Sequence, residues 1–487
     1  MRLLASLLAT TILLAGCTVG PDYAGPPGSA SDAVARGSFV RAGDEALNPA
    51  PPLAEWWTAL GDPTLDALVS DALAHSPTID QATARIREAQ AALGQQRASQ
   101  LPAVSASAMY AHAELPGIDI GAAEQGEQEG GEGSDTIDSL DFFNLGLTAS
   151  WEPDLFGGRR RAVEQASATL DARYADLSDA QVSLSAQVAD AYVSLRDVQA
   201  RIALNARSAE LQARQVELTR QRYEGGTASL LDVERLQNQL EGTRADAIPL
   251  GTQADQYLNL LAILTGRTPG ALDGTLGTAV PVPLPPASVP IGDPGALIGR
   301  RPDIRAAERQ LAAGTAGIGV ARARELPGIS LMGILGLGGT NPGDMFDPGN
   351  LTALALPQLS WNLLDFGAAR AATQQSEAQR DLAEAQYRQT VLEALQDAED
   401  SLSRFGNSRA QLGRLAQVQL SADRSAALNG QRVAAGTSTL IDQLDIERQQ
   451  VSAAIAVEQA KAQLALAYIA VNKALGLGWS EAEPPAP

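Results

Sequence analysis

The sequence predicts a mainly α-helical fold with a small β part: a duplicated unit of long antiparallel coiled-coil helices plus two strands. Three observations carry this. The stretch QRYEGGTASLLDVE at 221–234 returns almost letter for letter as QRVAAGTSTLIDQL at 431–444, 210 positions later. Ahead of each corner runs an uninterrupted helical pattern, from Gly157 to Glu224 in the first copy. Each copy also holds two short stretches with the period of two that marks a strand.

Composition narrows the function. Hydrophobic residues make up 45% of the 487, enough for a buried core, whereas aromatics reach only 4%. Alanine, glutamine, leucine and arginine dominate, which favours helix. A formal net charge of -21 argues against a nucleic-acid partner, since no basic stripe stands above the acidic background. One cysteine, Cys17, and two histidines, His75 and His112, leave too few partners for a zinc site or a catalytic triad. No phosphate-cradling glycine loop lies between a strand and a helix. The chain is therefore not expected to be an enzyme, and no cofactor or metal is expected.

The start, MRLLASLLATTILLAGCTVGPDY, places an arginine and an apolar run before small residues, the pattern of an export signal. LAGC at 14–17 fits the bacterial lipoprotein box, with cleavage before Cys17 and acylation of that residue. Several acyl chains anchor stably because each buried methylene adds about 0.8 kcal/mol. Thr18, in place of an aspartate, favours passage to the outer membrane. No other stretch is apolar enough for a spanning helix, so any crossing of a membrane falls to strands.

The two copies align in order. SPTIDQATARIREAQAALGQQRASQLPAV from Ser76 matches RPDIRAAERQLAAGTAGIGVARARELPGI from Arg301, and WEPDLFGGRRRA from Trp151 matches WNLLDFGAARAA from Trp361. Pro77 and Pro302 suit a first helical turn, with Ser76 as a cap. Pro102 and Pro327 end those helices. Strands are expected at about 102–112, 142–152, 327–338 and 351–361, with Pro357 weakening the last. Tyr174, Leu177, Gln181, Leu184, Val188, Ala191, Leu195, Val198 and Ile202 step by three and four, a coiled-coil seam. Val391, Leu395, Ala398, Leu402, Phe405 and Leu412 repeat it in the second copy. A helix of that length runs for about 100 Å at 1.5 Å per residue. A shorter returning helix at 228–265 and an opening helix at 77–101 together nearly match it.

The expected organisation is a signal peptide at 1–16, a lipidated extended segment at 17–55, a first repeat at 56–267 and a Pro/Gly-rich linker at 268–300. A second repeat at 301–478, with corners at 222–232 and 432–442, and a tail at 479–487 complete it. The N-terminal segment is read as a tether and the linker as a connector. Such a rod cannot bury a core alone, and four strands leave unpaired edges, so the chain must oligomerise.

These stretches, with CTVGPDYAGPP and WWTALGDPTLDALVSDAL from Trp56, resemble the outer-membrane efflux family, the TolC-like exit ducts, and within it the NodT-type lipoproteins. The resemblance covers nearly all of the mature chain. It implies a homotrimer with a 12-stranded outer-membrane β-barrel and a 12-helix periplasmic α-barrel. It also implies a periplasmic adaptor (membrane fusion) protein and an inner-membrane transporter of the proton-driven RND type as partners, besides outer-membrane lipid. The implied function is passive export of drugs or other small toxic molecules. Type I protein or peptide secretion, or metal-ion efflux, is the alternative.

The linker corresponds to a belt around the family's tunnel, and the acidic stretch 114–141 to a solvated external loop or a cation-binding one. In the family the corners close the periplasmic tip, which makes Asp442 and Asp445 candidates for pore rings, with Ile441 as the apolar neighbour of Asp445. Asp232 is a latch candidate at the first corner, and Arg448 either pairs with a neighbour or stays solvated. A closed ring of like charges is expected to raise these carboxyl pKa values. The competing reading is that aspartates simply favour a helix start. Val433 and Ser438 stand where the best-known gate of the family has a tyrosine and an arginine, so that latch is not expected here.

Overall fold

The computed structural model describes residues 18–114 and 139–479. The signal peptide, Cys17, most of the acidic loop and residues 480–487 lie outside the described residues. The chain divides into two compact units, each drawn from both copies. One holds the N-terminal residues to Gly25 with Ala89–Leu170 and Gln310–Ala383; the other holds Pro26–Glu88, Asp171–Arg309 and the chain from Glu384.

Elements follow in the order α1 (Ser31–Arg36), β1 (Leu47–Asn48), α2 (Pro63–His75), α3 (Pro77–Ala98), β2 (Ala103–Glu114), β3 (Ser139–Trp151), α4 (Gly158–Glu224) and α5 (Leu230–Leu264). Then come α6 (Asp273–Leu276), β4 (Val289–Pro290), α7 (Pro294–Arg300), α8 (Pro302–Ala323), β5 (Gly328–Gly339), β6 (Leu351–Ser360), α9 (Ala368–Ala434) and α10 (Leu440–Ala474). The helices α4 and α9 are each 67 residues long, and neither contains a proline. Pro77 and Pro302 open α3 and α8, where a missing N–H costs nothing.

In α9 the seam is clean: Val391, Ala394, Ala398, Leu402 and Phe405 are buried, with exposed residues between them. In α4 burial extends round most of the helix between Val182 and Gln199, wider than a two-helix seam requires. The reason is the segments that pack on it. Arg196, almost wholly buried, stacks on Tyr192 and donates to the carbonyls of Leu276 and Thr278 at 3.0 and 2.9 Å. Gln199 donates to the Leu276 carbonyl at 2.7 Å. Leu272, Leu276, Val282, Val289 and Ile291 are all core residues, so the linker is a packed layer and not a bare connector.

The N-terminal segment also departs from a simple tether. β1 pairs in parallel with β4, Leu47 against Val289. The amides of Val40 and Arg41 donate to the carboxylate of Glu399 at 2.8 Å, and Arg409 pairs with Asp44 at 2.5 Å. Periodicity could not announce this, because an extended strap bonds through its backbone and scattered acids. In the other unit, buried Arg161 holds Asp22 at 2.5 Å and Glu164 at 2.7 Å. There Gly20, in the left-handed region at φ 96°, lies so close to Gly319 that a Cβ would stand 2.5 Å from its Cα.

The helix α10 is long and apolar enough to cross a membrane by composition. Its Leu464, Tyr468, Ile469 and Val471 are instead buried in the core, where the Tyr468 hydroxyl donates to the Trp56 carbonyl at 3.0 Å.

Candidate functional site

Two features stand out from this frame, a sheet and a pair of corners. β2, β3, β5 and β6 form one antiparallel sheet in that order. Register fixes which side chains share a face, because residues directly opposite point the same way and alternate rungs point to opposite sides. Ala106, Leu147, Leu335 and Ala353 make one rung, and Ala108, Leu145, Leu337 and Leu351 make the next on the same face. The alternate rungs read Ser105, Thr148, Ile334, Leu354 and Ser107, Gly146, Gly336, Thr352. Over these rungs one face is apolar, until beyond the Tyr110–Phe143 rung His112 pairs with Asp141 at 2.8 Å, and the other is small and mixed.

Among the described residues no α-helix covers these rungs: Leu145, Leu147, Leu335 and Leu351 are all exposed. A soluble sheet would bury that side. Trp151 lies on it at the helix-proximal end of β3, and Trp361 directly follows β6. Their indole N–H groups donate to the carbonyls of Gln100 and Glu325 at 3.0 and 3.2 Å, the same bond in each copy. Amphipathic indoles at the end of an uncovered apolar band mark a membrane interface. Pro357 sits in β6, which is an edge strand within the chain, the position where a strand proline is tolerated.

The corners explain their own repetition. At the end of α4, Gly226 adopts φ 74° while its N–H donates to the Tyr223 carbonyl and that of Thr227 to the Arg222 carbonyl at 2.8 Å. At the end of α9, Gly436 at φ 72° and Thr437 repeat this with Val433 and Arg432. This is a glycine-dependent Schellman stop. Each following helix opens with a reciprocal capping box, Ser229 with Asp232 and Thr439 with Asp442.

Asp442 is therefore engaged within its own chain. The Thr439 hydroxyl donates to its carboxylate at 2.6 Å and the Thr439 N–H at 3.2 Å, and these bonds hold its pKa below the usual carboxylate range. Ser229 lowers that of Asp232 in the same way. Within one chain the direction is opposite to the rise expected of a closed ring, so ring repulsion acts against the box. Asp445 lies one turn further, where Arg448 donates to it at 2.8 Å and Gln449 at 3.1 Å. Ile441 is half-buried, four residues before Asp445 on the same helix.

Sequence reasoning missed a polar network beside these residues. Ser438 donates to the Asn429 side-chain carbonyl at 2.9 Å, and Asn429 donates to Gln443 at 2.9 Å. Gln443 in turn donates to the Ala426 carbonyl at 3.3 Å and to Glu447 at 2.9 Å. Asn429 and Gln443 are 5% and 9% exposed, so these bonds join α9 to α10 out of water. The first copy has Thr219, Val233 and Ala228 at the matching positions. The near-identity of the corners concealed the difference.

An antiparallel sheet with one lipid-compatible face, continuing directly into very long helix pairs with capped corners, defines the protomer of a membrane channel with an α-helical extension. The sequence profile described as outer membrane efflux protein matches residues 68–267 and 294–477. The chain belongs to the outer membrane efflux protein family, whose members are outer-membrane exit channels of efflux systems. It is 32% identical to the pyoverdine export outer membrane protein OpmQ of Pseudomonas aeruginosa, over 97% of this chain and 96% of that one. Nodulation protein T of Rhizobium leguminosarum bv. trifolii is 29% identical over 96% of both. Among solved structures, the outer-membrane channel OprN is 34% identical, with a TM-score of 0.83 over 95% of this chain and all of that one.

Proposed function

We propose that three copies of this chain close their sheets into a 12-stranded barrel and their helices into a periplasmic tunnel. The duct works passively with a periplasmic adaptor and an inner-membrane transporter of the RND type, exporting drugs or other small toxic molecules. The observation that carries this reading is the sheet: among the described residues its apolar face has no cover and its two edge strands, β2 and β6, have no outer partner. Lipid satisfies the face, and only closure with further copies satisfies both edges. Small organic cargo is favoured by OpmQ, whose name states pyoverdine export.

Acylation of Cys17 fits the same frame. Its neighbour Thr18 packs on Gly157, where a Cβ would stand 2.6 Å from the threonine methyl, and Val19 donates to the Phe156 carbonyl at 3.0 Å. The acyl chains would start near the foot of β3, where Trp151 marks the membrane boundary. Asp442 and Asp445, with Ile441, line the constriction; Asp232 supports the first corner and Arg448 orients Asp445.

Single-channel current of the purified full chain in a planar bilayer tests this, comparing it with Asp442→Ala plus Asp445→Ala. Small cation-selective steps are expected, growing or losing selectivity on substitution. Unchanged steps would demote the aspartates to helix-start residues, and a complete absence of channels would sink the duct itself.

A further inference from the structure

The two strand-to-helix turns are built from matching sequence, yet among the described residues only one is covered. Trp151-Glu-Pro-Asp-Leu-Phe-Gly157 leads into α4 and Trp361-Asn-Leu-Leu-Asp-Phe-Gly367 into α9. In the first, Asp154 accepts the N–H groups of Arg159 and Arg160 at 3.0 and 2.9 Å, and residues 18–19 lie across Phe156 and Gly157. In the second, the capping acid has moved one position along: Asp365 accepts from Gly367 at 3.0 Å and Ala369 at 2.8 Å. Phe366 is thereby held in the left-handed region, at φ 53°, beside Gly367 at φ 89°.

This shift turns apolar side chains outward. Leu363 is 71% exposed, Leu364 85% and Phe366 100%; the last two are the most exposed large apolar side chains among the described residues. Among the described residues none lies across this turn as residues 18–19 lie across the first, and a Cβ built on Gly367 would meet nothing within 4 Å. A bulky aromatic in a strained conformation, facing outward, needs an occupant.

We propose that the turn at 361–366 is a second membrane anchor, inserted at the acyl–headgroup boundary of the leaflet nearest the helices and covered by phospholipid. Around the duct it would alternate with the acylated N-terminus, which serves the other turn. Lipid is favoured over a second copy by continuity: Leu359 on the apolar face leads through Trp361 into Leu363 without a change of character. The polar half of the boundary is also present. A cleft of about 560 Å³ beside Trp361 and Asn362 is lined by Arg159, which is paired with Glu152 at 2.6 Å, and by Arg324, the cation suited to a headgroup phosphate. Apolar side chains below and a cation alongside are how a segment lies in an interface.

This rests on the membrane placement of β6, so the test reads both. Nitroxide is attached to Leu359→Cys, Leu364→Cys or Phe366→Cys in the full chain, reconstituted in phosphatidylethanolamine–phosphatidylglycerol vesicles. The signal of the unsubstituted protein, carrying Cys17 alone, is subtracted. Collision with oxygen and with a water-soluble nickel chelate is compared with a reporter at Leu231→Cys on the first corner. The expected result is a several-fold higher oxygen-to-nickel ratio at 359, 364 and 366 than at 231. A lipid reading at 359 with a watery one at 364 and 366 overturns the anchor alone. Shielding from both agents at 364 and 366 assigns the turn to a second copy and likewise overturns it. A watery reading at 359 removes the membrane placement and the anchor together. Should Phe366→Cys fail to assemble, the reporter at 364 decides.

Discussion

At Asp442 and Asp232 a single carboxylate does two things that oppose each other in a closed pore: it caps its own helix, and it brings negative charge to the corner. The first is fixed by Thr439 and Ser229, whose bonds favour the charged form and lower both pKa values. A depressed carboxyl pKa contributes stability that is fully present above the unfolded value, near 3.9, and lost as pH falls through the folded one. Amide exchange at residues 436–445 should therefore keep constant protection from neutral pH down to the ordinary carboxylate range and lose it below. In Asp442→Asn, protection should be lower and flat across that acid window. A loss that begins near neutral pH would mean another group controls the corner. The helix start was legible in the aspartate that follows an apolar pair at each corner, whereas the Ser229 and Thr439 boxes that hold it were not. Sequence could not tell whether the same carboxylates also face a pore, since one carboxyl suits both roles and a single chain has no pore.

Among elements, α10 holds its two neighbours by different means. Against α4 it presents Leu444 and Val451, which pack with Leu211 and have Leu204, Leu218 and Ile455 around them. Against α9 near the corner it presents Gln443 and Gln450, bonded to Asn429, the Ala426 carbonyl and Asp423. Apolar packing is non-directional and tolerates sliding, whereas these bonds hold one register. Asn429→Thr or Gln443→Val, each borrowing the first-copy residue, strands a buried partner and should weaken local protection in α9 and α10 by about 1–3 kcal/mol. The double substitution should cost clearly less than the sum, with a coupling of about 0.5–3 kcal/mol, read from amide exchange in a four-member cycle. Additive costs would mean the network does not act as a unit. The long helices and their seams were legible because a period of 3.6 survives over many turns. The strap at 18–48 was not, and the packed linker came only through the family's belt, since their bonds run through backbone amides and isolated acids that carry no period.

For the molecule as a whole, the sheet is the part that cannot be satisfied by its own chain. Its apolar rungs demand a solvent without water, and its register makes the two faces separable by one residue. Leu335 and Ile334 are adjacent in β5, similar in size and opposite in direction: Leu335 shares a rung with Leu147 and Ala353, Ile334 with Thr148 and Leu354. Leu335→Arg sets a charge among lipid tails at a cost of about 2–4 kcal/mol near the midplane. It should reduce the assembled protein recovered from outer membranes, with unassembled chain accumulating. Ile334→Arg places the same charge on the inner face, where water can reach it. It should leave the assembled amount unchanged and shift the channel's ion preference toward anions in planar bilayers. Equal loss for both would mean the two faces are not a lipid side and a water side. A reversed pattern would place the lumen against the leucine rungs and turn the barrel inside out.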